Sequence, residues 1–555
     1  MAKVKKIFDK FLTNNLLMLF FFVLTGVSLS CYFRYEIISD FENYHYYLPW
    51  SFVHGKTFTF IALALENSYH NPLADLPTYF IVKHFNDFPV VLSAYHGVFW
   101  GILIFVFYQF CRLVTHKETY WLLATFLAMT GFAVMSQLGT SSNEITVNIG
   151  VLFGLYLVYR EVFVLKTERL KIFFFAGLSL GAMLGLKLTV IIYCIALGMT
   201  LILFYKKWQK PLRVVSVFAF GGLIGFFLVY GWWGFILWQH MQNPMFPYLN
   251  NVFKSPYYAD KFLTYSDFYE KQWWEYFVFP YIASFQGNVQ VVSEAYMLDA
   301  RLAAGYSLLL GMIGWILWKR KILTIFADYQ NIVFLVVFSF LSYILWLQIF
   351  SIIRYAIIFE MLISLFLVLF FFSLEPKSFY SLSLWLSFGV VTLFILLSGL
   401  PYKSWGSRRH FEKIVAIEDV RLPEKSLLLC LSPGIGVAAA EISEKNPKVL
   451  IANETGTFTL PDTTLFEKTK EYQKNSEFIA YLISLKTNLN EFDYRTPISL
   501  IKQKNKQEVF ANLQYIIRTE LGVRDFYCRN INKSPTNGKI FLCTKKQYRR
   551  MLFGK

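Results

Sequence analysis

Residues 14–33 read Asn-Asn-Leu-Leu-Met-Leu-Phe-Phe-Phe-Val-Leu-Thr-Gly-Val-Ser-Leu-Ser-Cys-Tyr-Phe, without a charge. Soon after comes Asp40-Phe41-Glu42-Asn43-Tyr44-His45-Tyr46-Tyr47-Leu48-Pro49-Trp50. A spanning helix needs roughly 20 mostly apolar residues. The first stretch therefore predicts a membrane helix, and the second an aromatic, acidic loop at its far end. The same ruler places further apolar segments at 90–114, 120–137, 145–165, 172–186, 188–204, 214–238, 302–318, 332–350, 353–372 and 382–400. Beyond residue 400 the apolar blocks stop and the chain turns charged and mixed. The expected fold is an all-α polytopic membrane protein of about 11 transmembrane helices with a C-terminal soluble α/β domain. The membrane body covers 1–400, with outer loops 35–89 and 239–301, and the α/β domain covers 401–555.

Composition agrees. The 555 residues are 56% hydrophobic, 19% aromatic and 16% charged, against about 45–50% apolar and 25% charged for a soluble domain. That excludes an ordinary cytosolic enzyme, a disordered chain and a small disulfide scaffold. The formal net charge of +17 reads first as a topology signal, and nucleic acid is not an expected partner. Lys3, Lys5, Lys6 and Lys10, then Lys166, Arg169 and Lys171, then Lys206, Lys207, Lys210 and Arg213, then Lys319, Arg320 and Lys321 fall on one side if the segments flanking Lys187 form a helical hairpin. The positive-inside rule makes that side cytoplasmic. The N-terminus is then cytoplasmic, and the two long loops and the 401–555 domain are extracytoplasmic. The first segment also admits a cleaved signal peptide, with Ser28 and Ser30 before the cut, although its apolar run is longer than a usual signal core.

The chemistry concentrates in the first loop. If 40–50 is helical, Asp40, Tyr44 and Tyr47 share one face and Glu42 and Tyr46 another. A carboxylate among rings at the end of a membrane helix suits a general base, because burial raises its pKa toward the working range. The bland alternative is an interfacial helix with its rings among headgroups and its acids in water. Further on, Asn71-Pro72 is a helix start and Asp75 falls in its first turn, where an acid favours the helix dipole. Glu144, after Thr140-Ser141-Ser142-Asn143, reads as a helix-start acid or a sugar ligand.

These stretches resemble a known group. Asp-Phe-x-Asn-Tyr-His-Tyr-Tyr-x-Pro-Trp from Asp40, then His54-Gly55-Lys56 and Asn71-Pro72-Leu73-Ala74-Asp75-Leu76-Pro77, resemble the first outer loop of bacterial integral-membrane glycosyltransferases. That group is the GT-C superfamily, in its glycosyltransferase 87-like branch. Gly185-Leu186-Lys187-Leu188-Thr189, Asn243-Pro244-Met245-Phe246-Pro247-Tyr248, Phe253-Lys254-Ser255-Pro256-Tyr257-Tyr258, Asp299-Ala300-Arg301 and Arg354-Tyr355 extend the likeness over residues 10 to 400. The resemblance implies a polyprenyl-phosphate sugar donor, an acceptor hydroxyl on a glycan, lipid or protein, and inverting transfer at the outer face of the bacterial plasma membrane. It assigns Asp40 as general base, with Glu42 as partner or bystander; beside them Tyr44, His45, Tyr47 and Asp75 are the expected substrate contacts, since planar rings suit sugar faces.

Phosphate is a good leaving group and needs charge neutralisation more than a general acid. Lys187, Arg301 and Arg354 are the cations expected to supply it, with snorkelling to headgroups as the alternative for each. Glu360 is a candidate ion-pair partner for Arg354. Some superfamily members use a divalent metal, and His45, His54, His70 and His84 with Asp offer ligand types; their spacing matches no metal motif. In 401–555, strands are expected at 427–431, 449–452 and 539–543 and helices at 467–485 and 506–521, with a turn at Pro433-Gly434-Ile435-Gly436. Cys528 and Cys543 pair in a disulfide if that domain lies outside, and are free core thiols if not. Two other readings stay open: a polysaccharide polymerase or ligase, and a transporter or lipid flippase. A transporter should show repeated halves with helices broken in corresponding positions, and the sequence shows neither.

Overall fold

A run of apolar residues in a medium without water can satisfy each backbone N–H and C=O within itself only as a helix. The computed structural model follows that rule. It describes residues 12, 14–33, 36–37, 40–204, 207–261, 272–285, 292, 299–319, 329–373, 389, 392–393, 407–408, 412–432, 434–453, 460–485, 490–493, 526–533 and 539–553, and it is mostly helical, at 69%. In chain order the helices used below are α1 (Asn15–Phe33), α2 (Tyr47–Val53), α3 (Leu76–Phe85), α4 (Pro89–Val114), α5 (Glu118–Met129), α6 (Phe132–Ser136), α7 (Glu144–Tyr159) and α8 (Leu170–Leu186). They continue with α9 (Ile191–Leu203), α10 (Pro211–Met241), α11 (Arg301–Lys319), α12 (Gln330–Ile349), α13 (Ile357–Ser373), α14 (Gly436–Lys445) and α15 (Thr464–Asn475).

Among the described residues, five helices are long and apolar enough to cross a membrane: α1, α4, Glu144–Val164, α10 and α12. Shorter apolar helices at Leu170–Leu186, Leu188–Leu203, Arg301–Gly314 and Ile357–Phe371 fall on four more of the expected segments. The expected span 382–400 and the expected helix 506–521 lie outside the described residues. The expected span 120–137 is interrupted. α5 ends at Met129 and α6 begins at Phe132, with Gly131 extended between them. A Cβ on Gly131 would overlap the Glu360 carboxylate. Hydropathy is unbroken there, so only the packing reveals the break.

The chain divides into two compact units. One comprises Met1–Phe33, Ser93–Trp232 and Thr264–Trp405; the other comprises Arg34–Leu92, Trp233–Leu263 and Gly406–Lys555. In the first unit, helices approach through small residues, as apolar helices do where no hydrophobic force drives them together. A Cβ on Gly26 of α1 would strike the Gly97 carbonyl of α4, and one on Gly181 of α8 would strike the Gly222 carbonyl of α10. Ser30, one of the two small residues of the signal-peptide alternative, is buried in α1 and donates 2.7 Å to the Ser93 carbonyl.

The second unit is built on a six-stranded sheet. Its strands are β1 (Ser426–Cys430), β2 (Leu450–Asn453), β3 (Phe478–Leu485), β4 (Glu491–Asp493), β5 (Phe526–Asn530) and β6 (Lys539–Lys545), in the order β2-β1-β3-β6-β5-β4. β1 pairs parallel with both β2 and β3, and the remaining pairs are antiparallel. The expected helix over 467–485 is corrected. α15 stops at Asn475, and Phe478–Leu485 becomes the strand beside β1. Its run Phe-Ile-Ala-Tyr-Leu-Ile-Ser-Leu is aromatic and β-branched, a composition that suits a buried strand better than a helix. Cys528 and Cys543 face each other on β5 and β6 and are disulfide-bonded. The first loop belongs to this sheet as well. Ile61 pairs parallel with Ala452 of β2, with its N–H donating 3.0 Å to the Ile451 carbonyl.

Candidate functional site

Asp40 opens a single π-helical turn, Phe41–His45, closed by the Tyr46 N–H donating 3.4 Å to the Phe41 carbonyl. A π-turn takes one residue more per hydrogen-bonded ring than an α-helix, and this shifts the faces expected from α-helical spacing. Asp40 and Tyr44 still meet, the Tyr44 hydroxyl donating 3.4 Å to Asp40 Oδ2. Tyr47 does not join them. It begins α2, is fully buried and lies beside Ser51, Tyr69 and Cys430; burial pushes its hydroxyl well above the usual range. Glu42 is half-buried.

His45 and Asp75 meet across 30 residues of sequence. His45 Nδ1 lies 2.8 Å from Asp75 Oδ1, and both side chains are buried. The expected helix start is present: Asn71 accepts from the Leu73 N–H, and Pro72 opens one 3₁₀ turn. Asp75 then precedes α3, but its side chain makes no cap hydrogen bond there and is turned to the imidazole instead. An imidazole held at Nδ1 by a carboxylate has a fixed ring and one remaining nitrogen for proton exchange. Among the described residues, buried His45 Nε2 has no hydrogen-bond partner.

Aromatic faces complete the cluster. The Tyr44 ring lies 4.1 Å from the His45 ring, centre to centre, and 6.0 Å from His70 in an edge contact. His70 Nε2 is 2.9 Å from the hydroxyl of Tyr248 in the second loop. That loop is held from within: the Asn243 amide donates 3.0 Å to the Tyr248 carbonyl, and the Asn250 amide donates to the carbonyls of Ser255 and Tyr258. His54 is apart from this group, stacked on Trp50. Among the described residues, no group of three or more His, Cys, Asp or Glu is gathered to hold a metal ion.

The first unit carries a separate set of charges. Lys187 interrupts α8 and α9 in an extended conformation, as the hairpin reading expects. Its Nζ donates 2.6 Å to Glu144 Oε1 and 2.5 Å to the Ser142 carbonyl. Glu144 is therefore both the first residue of α7 and an ion-pair partner. Arg354 is buried in the turn Ile353–Tyr355, its guanidinium 5.4 Å from the centre of the Tyr355 ring. Lys187 Nζ is 5.9 Å from the same ring, so these two cations share one aromatic neighbour.

Arg301 sits elsewhere in that unit and is fully buried. Its guanidinium binds Asp299 through Nη1, and Nη2 donates 3.0 Å to the Leu127 carbonyl and 2.7 Å to Thr130 Oγ1. Asp299 also accepts from the Phe132 N–H at 2.9 Å, and Glu360 accepts from the Ala133 and Val134 N–H groups at 3.0 and 3.4 Å. Two carboxylates thus fill the start of α6, and Glu360 serves that helix end. The sequence proposed Arg354 as its partner; the signal for the other answer was Gly131, a residue that lets a carboxylate approach the backbone.

Sequence reasoning also missed Asn43 and Tyr46. Asn43 Oδ1 accepts 3.2 Å from the Gly434 N–H, and the Tyr46 hydroxyl donates 2.7 Å to Glu441 Oε1 of α14. Burial, then the Glu441 charge, push the Tyr46 hydroxyl well above its usual range. The chain matches no known family, and no curated protein matches it either.

Proposed function

We propose that the chain is an integral-membrane glycosyltransferase of the GT-C kind. It moves a sugar from a polyprenyl-phosphate donor to an acceptor hydroxyl at the outer face of a bacterial plasma membrane. The observation that carries the reading is the first-loop cluster: Asp40 bound by Tyr44, and His45 held by Asp75, among aromatic faces of the kind sugar rings stack on. In the reaction the acceptor oxygen attacks the anomeric carbon and its proton passes to the Asp40 carboxylate. The bond from that carbon to the phosphate oxygen breaks, and its electron pair leaves with the polyprenyl phosphate, so the configuration inverts. Lys187 and Arg354 are assigned the charge of the leaving phosphate. Arg301, with Nη1 engaged by Asp299 and Nη2 by Leu127 and Thr130, keeps only a supporting part in that role. The Cys528–Cys543 bond supports an extracytoplasmic 401–555 domain, since such bonds persist in oxidising compartments.

A transporter is the second reading, and the break between α5 and α6 favours it, because transporters place substrates at broken helices. Against it, the N–H groups freed at that break are taken by the chain's own Asp299 and Glu360. The deciding experiment incubates purified protein with a panel of polyprenyl-phosphate sugars and an acceptor extract, and reads both transfer and product length. Asp40→Asn is expected to abolish transfer while donor binding persists. Undiminished transfer by that variant rejects the assignment, and long products reveal a polymerase.

A further inference from the structure

The parallel part of the sheet has a switch point. β1 lies between β2 and β3, so the crossover through α14 leads to one side of β1 and the crossover through α15 returns to the other. Open α/β sheets take ligands in the crevice at the carboxyl ends of such strands, where the connections part. Here residues of the first loop stand at that end. Asn43 Oδ1 accepts from Gly434 in the turn after β1, as an external ligand's oxygen would. A Cβ on Gly436 would overlap the Asn43 carbonyl and come within 2.9 Å of Tyr47 Cβ. Tyr46 reaches Glu441 along α14. At the sheet edge, Ile61 pairs alongside β2, and the Asn453 N–H donates 2.9 Å to its carbonyl. Tyr472 of α15 donates 2.9 Å to the Thr59 carbonyl. The anchored residues, Asn43, Tyr46 and Tyr47, alternate with Tyr44 and His45, which carry the site.

We infer that the C-terminal α/β domain holds the first loop as its own ligand, with Gly436 and Glu441 as positioning residues for Asp40 and His45. The domain gives up its crevice to the chain, and the π-turn is held from one side while its other side chains meet Asp75 and His70. The catalytic meaning of this positioning rests on the glycosyltransferase reading. The positioning itself does not.

The test uses the full chain in detergent or nanodiscs and follows amide hydrogen exchange over 40–47 alongside donor KM and kcat. Gly436→Ala and Glu441→Leu are expected to raise exchange in 40–47 at least tenfold, with β1, β2 and β3 still protected. They should lower kcat at least tenfold with KM within about twofold. Glu441→Gln, which still accepts the Tyr46 hydroxyl, should restore both readouts. Tyr46→Phe removes the same bond without changing the core volume, and it should add nothing in the Glu441→Leu background. Unchanged exchange in Glu441→Leu and Tyr46→Phe overturns the inference, as does failure of Glu441→Gln to rescue. If the wild-type protein transfers no sugar, the functional reading falls, and the exchange pattern alone decides the positioning.

Discussion

Replacing Arg301 by Met keeps the length and apolar stem of the side chain and deletes its charge. Arg301 is fully buried, and its guanidinium touches Asp299, the Leu127 carbonyl and Thr130. With Glu360 at the same helix start, the cluster carries a formal charge of two acids against one base. The substitution leaves two buried acids held by the N–H groups of Phe132, Ala133, Val134 and residue 301 itself. Removing one partner of a buried ion pair costs about 3–5 kcal/mol, a large part of a typical total of about 5–15 kcal/mol. That is roughly a 10²- to 10⁴-fold fall in the folded-to-unfolded ratio. Arg301→Lys should lose nearly as much, since a point charge cannot reach Asp299, Leu127 and Thr130 together as the planar fork does. The double variant Arg301→Met/Glu360→Gln returns the cluster to one formal negative charge and should recover part of the loss. The assay is the fraction of monodisperse protein surviving graded heating in detergent, read by size exclusion. An Arg301→Met protein with the wild-type midpoint but without donor binding would refute the reasoning and return Arg301 to the phosphate.

Three further outcomes are expected. Cys528→Ser or Cys543→Ser opens a link between residues 15 apart and should destabilise the α/β domain by about 3 kcal/mol; thiol labelling of unfolded, unreduced wild-type protein should find four reactive cysteines, and six would reject the bond. Burial, reinforced by Glu444, pushes the Glu441 carboxyl up despite the Tyr46 hydrogen bond. The folded state therefore binds more protons than the unfolded one between the ordinary and the raised value, so stability should fall as pH rises through that window. Glu441→Gln should flatten the fall, as measured by melting against pH. Gly181→Ala places a methyl against the Gly222 carbonyl and should lower the detergent melting midpoint, whereas Gly311→Ala, with open space around it, should not.

The sequence made the long apolar helices plain because an unbroken apolar run of about 20 residues leaves few alternatives to a helix long enough to cross a membrane. It also placed β1, β2 and β6, whose apolar runs are bounded by charge or turns. It located His45, Asp75, Lys187 and Glu144 individually, but not their pairing. His45–Asp75 joins two turns of one loop, and Lys187–Glu144 joins the break between α8 and α9 to the start of α7, and neither contact has a local spacing to betray it. The Tyr47 error had a different source. The helical face was drawn at 3.6 residues per turn, and one π-turn moved it. The α5–α6 break stayed hidden because its cause, Asp299 and Glu360, lies more than 160 positions along the chain.

The Ile61 edge of the sheet also bears on how the protein comes to exist. Asn453 and Leu63, hydrogen-bond neighbours there, are 390 residues apart. At roughly 5–20 residues per second, the ribosome needs about 20–80 s to make β2 after the first loop has emerged. For that interval Asn43, Tyr46 and Ile61 lack the groups they finally bind, while the intervening apolar helices are being made. A stalled or prematurely terminated product would carry an intact membrane portion and an uncovered aromatic loop. That loop is a ready mark by which proteases and chaperones can tell an unfinished molecule from a finished one.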